Sequence, residues 1–373
     1  MLVAQVKASY EQSKGKMKRY NNLFEQIIDP GNIALAHHNA QKGKSNYTEV
    51  QMVDKNKERY LGEIHKMLRD KTFTTAQYKN KTVFDTGKIR DVSKLPYFPD
   101  RIVQHAVMNI IQPIWDKVFI YDCYAAVRGK GIHAGLKRLR GFLRDNENTQ
   151  YCLKFDIRKY YPSVNHDILM SLLERKIKCK DTLWLLEDVV KSPGGEKGIP
   201  IGNYLSQYFA NIYLNWFDHW LKEDKQVAYY IRYCDDGVIL DGSKDRLNLL
   251  LGEITDYFHA LKLELNPKTQ IFPVDKRGID FLGYRSFRDY TLLRKYSAKR
   301  LKARIKLIQN GGQRLEPQSI ISSIMSYAGW IKHCNGHHLL TKLILENKPV
   351  REAMDRASAK LEIRNPLWRL ANG

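Results

Sequence analysis

Asp235 and Asp236 stand side by side in Tyr233-Cys234-Asp235-Asp236, between the runs Tyr229-Tyr230-Ile231-Arg232 and Gly237-Val238-Ile239-Leu240. Two adjacent carboxylates at the tip of such an aromatic and β-branched hairpin are poor core material. They are well suited to holding divalent cations. A plainer reading is that Asp-Asp-Gly simply makes the turn. A third acid separates the two readings. In Tyr151-Cys152-Leu153-Lys154-Phe155-Asp156-Ile157, alternation puts Leu153, Phe155 and Ile157 on one face of a strand and Asp156 on the other. An acid at the end of a core strand is destabilising unless a positive group meets it. With this strand beside the hairpin, Asp156 and Asp235 converge. Two carboxylates there can bridge two Mg²⁺ ions about 3.5–4 Å apart, stabilising the attacking and leaving oxygens of a phosphoryl transfer. Mg²⁺ suits such a site because it prefers oxygen ligands and keeps positions for water and phosphate. A lone Asp capping the next turn would account for Asp156 but not for the pair.

Two nearby segments fit the same chemistry. In Lys159-Tyr160-Tyr161-Pro162-Ser163-Val164, Tyr161 falls five residues past Asp156. A bulky ring there can lie under the sugar of a nucleotide and clash with a 2′-hydroxyl, although Tyr-Tyr-Pro is also ordinary packing before a helix. In Gly198-Ile199-Pro200-Ile201-Gly202-Asn203-Tyr204-Leu205-Ser206-Gln207, Gly202 removes a Cβ where another group must approach the backbone. The helix that follows is expected to bury Leu205, Phe209, Ile212, Tyr213 and Trp216, leaving its start to face a ligand.

The elements that must position these groups come from a chain of 373 residues, enough for two or three lobes. With 62 Lys+Arg against 40 Asp+Glu, the net charge is +22, which points to a polyanionic partner, nucleic acid first. No run approaches the roughly 18 apolar residues of a membrane span, and the N-terminus lacks a secretory pattern, so a cytoplasmic protein with no membrane partner is expected. The five cysteines form no Cys-x-x-Cys pair, which fits reduced thiols rather than structural zinc. A helical run is expected through Tyr20–Phe24, a turn at Asp29-Pro30-Gly31, and a basic helix from Lys55 to Arg69. Strand-like pieces follow at Thr82–Phe84 and Lys88–Arg90, then a helix through Val103, Val107, Ile110 and Ile111 that ends near Pro113. Residues 151–288 alternate strands and helices. Beyond Asp289 the chain turns helical and basic, with Leu301, Ile305 and Ile308 as an apolar stripe before Gly311-Gly312. A second helix carries Ile320, Ile321, Ile324, Tyr327 and Ile331.

Taken together, residues 80–345 resemble a reverse transcriptase, with the family's motifs in order. Arg101-Ile102-Val103-Gln104-His105 looks like the first fingers motif and Tyr124–Gly131 like the second. Phe155-Asp156-Ile157 and Tyr233-Cys234-Asp235-Asp236 match the two catalytic palm motifs. Leu265-Asn266-Pro267-Lys268-Thr269 is similar to the motif whose lysine protonates the departing pyrophosphate, and Phe281-Leu282-Gly283-Tyr284 to the primer grip. The resemblance implies an α+β right-hand polymerase: fingers, a palm of antiparallel sheet packed on helices, and a helical thumb. It divides the chain into an N-terminal extension and start of fingers (1–80), fingers (81–150), palm (151–288, with a fingers insertion near 175–200), and thumb with C-terminal tail (289–373). No maturase or endonuclease segment is expected after the thumb.

The roles it implies are specific. Asp156, Asp235, Asp236 and Lys268 are catalytic, and Asp156, Ile157 and Asp235 hold two Mg²⁺ ions, with Mn²⁺ able to substitute. Lys88, Arg90, Arg128, Lys130, Ile157, Tyr161, Ile201, Gly202, Ser206 and Gln207 surround the dNTP. Phe281, Leu282, Gly283, Tyr284, Lys299 and Arg300 hold template, primer RNA and cDNA. One departure narrows the resemblance. Where most bacterial retroelement enzymes carry Gln-Gly-x-x-x-Ser-Pro, this chain has Ile201-Gly202-Asn203-Tyr204-Leu205-Ser206-Gln207, the pattern of diversity-generating retroelements. Tyr327–Cys334 (YAGWIKHC) also looks like that group. That implies adenine-mutagenised copying of a template repeat RNA in a bacterial or phage-infected cell, with a small, basic, oligomeric accessory variability protein as partner. The alternatives are a faithful retron-like or antiphage-defence reverse transcriptase and, from another class, a catalytically inactive RNA-binding scaffold.

Overall fold

The computed structural model describes residues 18–85, 88–311 and 315–367, without the side chains of 84–85 and 88–90. The chain forms two compact units, both discontinuous in sequence. The first comprises Met1–Gly131, Leu153–Ile239 and Lys244–Ile271. The second comprises Ile132–Cys152, Leu240–Ser243 and Phe272–Gly373.

The first unit opens with helices α1 (Phe24–Ile28), α2 (Pro30–Ala40), α3 (Thr48–Lys55) and α4 (Lys57–Arg69). Three local expectations change here. The helix begins only at Phe24, because Tyr20 pairs as a parallel bridge with Ile177 and Asn22 adopts φ 54°. Asp29-Pro30-Gly31 starts a helix instead of making a free turn: the Asp29 carboxylate accepts the Asn32 N–H at 3.0 Å, and Pro30 sits in the first turn where its missing N–H is harmless. The basic helix is shorter, since Asn56 (φ −132°, ψ 49°) separates α3 from α4. Strands β1 (Lys79–Asp85) and β2 (Lys88–Lys94) then form an antiparallel hairpin, followed by α5 (Ile102–Asp116) with Pro113 in its last turn.

After α6 (Ile132–Phe142), the main sheet begins with β3 (Tyr151–Asp156), and α7 (His166–Glu174), α8 (Lys180–Lys191) and α9 (Tyr204–His219) follow. Next come β4 (Tyr230–Tyr233), β5 (Asp236–Asp241), α10 (Lys244–Ala260) and β6 (Gln270–Pro273). The sheet order is β4-β5-β3-β6, so the first strand lies beside the acidic hairpin. Leu153, Phe155 and Ile157 are buried as their alternation requires, and the Phe155 ring packs among Phe217, Tyr230 and Phe258. On α9, Leu205, Phe209, Ile212 and Tyr213 are core residues. Trp216 is only half-buried, with the Arg175 guanidinium 4.6 Å from its ring.

The second unit contains the meander β7 (Ile279–Phe281), β8 (Tyr284–Ser286) and β9 (Thr291–Leu293), then α11 (Lys295–Gly311), α12 (Pro317–Ile331) and α13 (Lys348–Lys360). Leu301, Ile305 and Ile308 are buried on α11, and Ile320, Ile321, Ile324 and Ile331 on α12. Helix α11 ends at Gly311, and Gly312 lies outside the described residues. No helix among the described residues is long and apolar enough to cross a membrane. All five cysteines are free.

Candidate active site

Register fixes the acidic hairpin. Tyr233 pairs with Asp236, so Cys234 and Asp235 are the two turn residues, and Asp236 already belongs to β5. Cys234 takes the left-handed φ of 57° that such a turn usually assigns to glycine. Gly237 lies within the strand and does not make the turn. A Cβ there would fall 2.1 Å from Phe155 Cζ, so its absence makes room for the ring behind the acids.

Asp156 and Asp235 converge. The Asp235 carboxyl is pushed up from 3.8 to about 6, first by burial, then by the negative charges of Asp156 and Asp236. Burial is the larger cause, and the smaller contribution of the other two carboxylates reflects their closeness to Asp235. Asp236 also lies 3.8 Å from Lys154 Nζ, which offsets part of its charge. Asp156 is met by an amide: Asn266 Nδ2 donates to its carboxylate at 2.9 Å and the Asn266 N–H to its carbonyl at 2.7 Å. Asn266 Oδ1 in turn accepts the Lys268 N–H at 3.1 Å. The sequence assigned Lys268 a role in this loop and gave Asn266 none. Lys268 itself is exposed.

Beyond Asp156 the pairing continues as a bridge between Ile157 and Leu265, closed by Arg158 N–H to the Glu264 carbonyl and Asn266 N–H to the Asp156 carbonyl. In that pattern the N–H and C=O of Ile157 itself point to the opposite edge, the side of β5. Among the described residues no three His, Cys, Asp or Glu side chains are grouped to hold a metal ion. The donors expected from the sequence are two carboxylates and a backbone carbonyl, those of Asp156, Asp235 and Ile157. Such a set leaves coordination positions for water and phosphate oxygens, which fits Mg²⁺.

The other expected residues divide by position. The Tyr161 hydroxyl lies 3.9 Å from Cys234 Sγ, and burial followed by the Cys234 thiol raises its pKa. Its carbonyl accepts the Ile199 N–H at 2.9 Å, tying this ring to the Gly202 loop. At Gly202 (φ 112°) a Cβ would fall 2.9 Å from Val92 Cγ1, and the Ser93 N–H donates to the Ile201 carbonyl at 2.9 Å. The close approach is made by β2. Ile201 is half-buried and Gln207 exposed, whereas Ser206 is buried on the core side of α9. Helix α9 takes its cap from a distance: Gln104 Oε1 accepts the Tyr204 and Leu205 N–H groups at 3.2 and 3.5 Å. Arg128 is exposed, and its charge reaches Tyr204. Lys130 Nζ donates to the Tyr121 carbonyl at 2.5 Å and lies over the Tyr121 and Tyr124 rings. Lys88 and Arg90 lie on β2 opposite Asp85 and Val83, and their side chains are outside the described part.

Within the second unit, Phe281, Leu282 and Tyr284 are buried. The Tyr284 hydroxyl donates to the Trp330 carbonyl at 2.9 Å, and Gly283 packs so tightly on the Trp330 ring that a Cβ would fall 2.5 Å from it. Lys299 and Arg300 are exposed on α11. A cleft of about 460 Å³ is lined by Arg140, Arg144, Arg288, Lys332 and His333 among others, a basic surface the motifs did not mark.

Over residues 78–286 the sequence matches the reverse transcriptase (RNA-dependent DNA polymerase) family. It is 26% identical over 245 residues to Protein YkfC of Escherichia coli, covering 54% of this chain and 64% of that protein. It is 22% identical over 341 residues to the Group II intron-encoded protein LtrA of Lactococcus lactis, covering 71% of this chain and 56% of LtrA. Among solved structures, telomerase from Candida albicans in complex with a fragment of telomeric RNA superposes with a TM-score of 0.46 at 12% identity, over 82% of this chain and 63% of that one. The chain spans less than two thirds of the length of each of these relatives. Because the family match takes in both acidic strands, the loop between them and more than half of the sequence, this protein belongs to the reverse transcriptase family.

Proposed function

We propose that the chain is an RNA-directed DNA polymerase that adds dNTPs to a primer 3′-hydroxyl on an RNA template. The observation that carries this reading is the strand order β4-β5-β3, which sets the Asp156 end of β3 beside the hairpin that carries Asp235 and Asp236. Asp156, Asp235 and the Ile157 carbonyl would hold the divalent ions. When bound, Mg²⁺ would supply Lewis-acid activation of the attacking hydroxyl and neutralise charge on the triphosphate. Asn266 fixes the carboxylate of Asp156, and Lys154 tempers the charge of Asp236. Tyr161, beside the turn, excludes a 2′-hydroxyl. Lys268 is exposed and free to follow the leaving pyrophosphate as its general acid. The excess of basic residues, with Lys299, Arg300, Arg144 and Lys332 at the surface, supplies phosphate contacts for template and primer.

The finer reading is error-prone copying of a template repeat RNA, mainly at adenines, with a basic accessory protein as partner. It is supported by Ile201 and Gln207 in the Gly202 loop. Apolar Ile201 cannot donate a hydrogen bond that would hold the incoming nucleotide in register. One such bond is worth about 0.5–1.5 kcal/mol, roughly two- to tenfold in discrimination. Asp235→Asn is expected to abolish Mg²⁺-dependent dNTP incorporation while RNA binding persists; retained synthesis would remove Asp235 from the metal site. Sequencing cDNA made on a defined RNA tests the finer reading, which uniformly low error at all four template bases would refute.

A further inference from the structure

Arg232 is among the largest fully buried side chains of the protein and lies on β4, two residues before the first turn residue of the acidic hairpin. Its partner Asp218 on α9 is equally buried. Arg232 Nε and Nη2 donate to the two Asp218 oxygens at 2.8 and 2.5 Å, and the Tyr230 hydroxyl also donates to Asp218 at 2.7 Å. The Arg232 backbone is held as well: its N–H donates to the Asp122 carbonyl and its carbonyl accepts the Tyr124 N–H, both at 3.0 Å. One guanidinium nitrogen remains. Nη1 donates to Asn211 Oδ1 at 3.2 Å and to the Cys234 carbonyl at 2.8 Å.

That carbonyl belongs to the peptide joining Cys234 to Asp235. Cys234 takes a left-handed φ that costs a non-glycine residue energy, so the turn needs an outside group to keep it there. A buried ion pair is also a poor source of net stability: replaced by apolar residues of similar volume, such pairs are often neutral or better. What the pair does supply is direction. Arginine's planar fork is locked by Asp218, and its remaining nitrogen reaches the Cys234 carbonyl more closely than the Asn211 amide oxygen.

We infer that Arg232, locked by Asp218, is a positioning residue that holds the Cys234–Asp235 peptide and thereby sets where the Asp235 carboxylate points. This rests on the reading of Asp235 as a metal ligand. Removing the ion pair together with the Tyr230 hydroxyl while keeping their volume isolates the effect, as in the triple variant Arg232→Met, Asp218→Leu, Tyr230→Phe. The second variant is Arg232→Lys, whose single ammonium cannot serve Asp218 and the Cys234 carbonyl with the same geometry.

The experiment measures melting temperature, binding of a primed poly(rA)–oligo(dT) template, kcat for dTTP incorporation and the Mg²⁺ concentration giving half-maximal rate, with Asp235→Asn in parallel. The triple variant is expected to melt within a few degrees of the parent and bind template equally. Its kcat should fall at least tenfold and its Mg²⁺ requirement should rise several-fold; Arg232→Lys should fall between. A merely structural pair would leave the Mg²⁺ requirement of the folded fraction unchanged. A folded triple variant with kcat within twofold and the parental Mg²⁺ requirement overturns the inference. Recovery of neither variant in folded form also overturns it, by assigning the pair to folding. Should Asp235→Asn keep its activity, the metal reading fails first; should only Asp235→Asn lose it, the clamp alone fails.

Discussion

Gly237→Ala tests whether the core behind the acids is as tight as the geometry states. The added Cβ would lie 2.1 Å from Phe155 Cζ and 2.5–2.6 Å from both Cε atoms, against a normal carbon–carbon contact of about 3.5–4 Å. Relief requires a shift of more than about 1 Å. The ring cannot simply step aside, because Phe217, Tyr230 and Phe258 stand 5.9–6.5 Å from its centroid on other sides. Overpacking of this kind costs about 1–3 kcal/mol, and the enclosure puts this site near 3. The backbone that must yield carries Asp156 on one strand and Asp236 on the other, so activity should fall with stability. Urea unfolding and dNTP incorporation are measured on Gly237→Ala, Phe155→Leu and the double variant. Phe155→Leu alone should cost about 1–2 kcal/mol. In the double variant the methyl enters space the ring has left, so the loss should fall short of the sum by at least about 1.5 kcal/mol. Strict additivity, or a Gly237→Ala protein as stable as the parent, would refute the packing argument.

Three further outcomes are expected. Asn266→Ala removes the amide that donates to Asp156, and a hydrogen bond to a charged group is worth about 1.5–3 kcal/mol; kcat/KM should fall roughly ten- to hundredfold, and an unchanged value would free Asp156 of this support. Asn266→Asp should be more damaging than Asn266→Ala, since it places a like charge against the same carboxylate. His105, stacked on Tyr204 at 4.4 Å, has its pKa lowered to about 4 by burial first and then by Arg101, Lys44 and Lys42. Between pH 6.5 and 4 the unfolded chain takes up a proton that native His105 refuses, so this contribution is complete above pH 6.5 and declines by at most about 3 kcal/mol toward pH 4. His105→Phe should flatten that acid limb in urea titrations, and parallel pH–stability curves would show that His105 carries none of it.

Which of these residues the sequence could reveal follows from where their partners lie. The strand that ends in Asp156, the hairpin that carries Asp235 and the face of α9 were legible because their evidence is local: composition and period-two and period-3.6 patterns report structure within one element. The stripe Leu301, Ile305 and Ile308 was legible for the same reason. Gly237 was misleading because Asp-Asp-Gly has turn composition, and only the neighbouring strand shows that the glycine is needed for Phe155. Asp29-Pro30-Gly31 is ambiguous in kind, since the residues that make a turn are those that start a helix. Gln104 and Asn266 act wholly on distant backbone or side chains, capping α9 and gripping Asp156, and no spacing within their own segments encodes that.

Arg232 is the sharpest case. In Tyr-Tyr-Ile-Arg-Tyr an arginine reads as the polar, outward position of a strand, because arginine is almost never fully buried unless paired. Its pair, Asp218, sits on helix α9 within a run that otherwise reads as core, where an acid looks like an error. Each charge is anomalous alone, and together they account for one another and for the turn beside them. A buried charge inside an otherwise apolar pattern is therefore a request for a partner, and in this fold the two requests answer each other directly behind the candidate metal site.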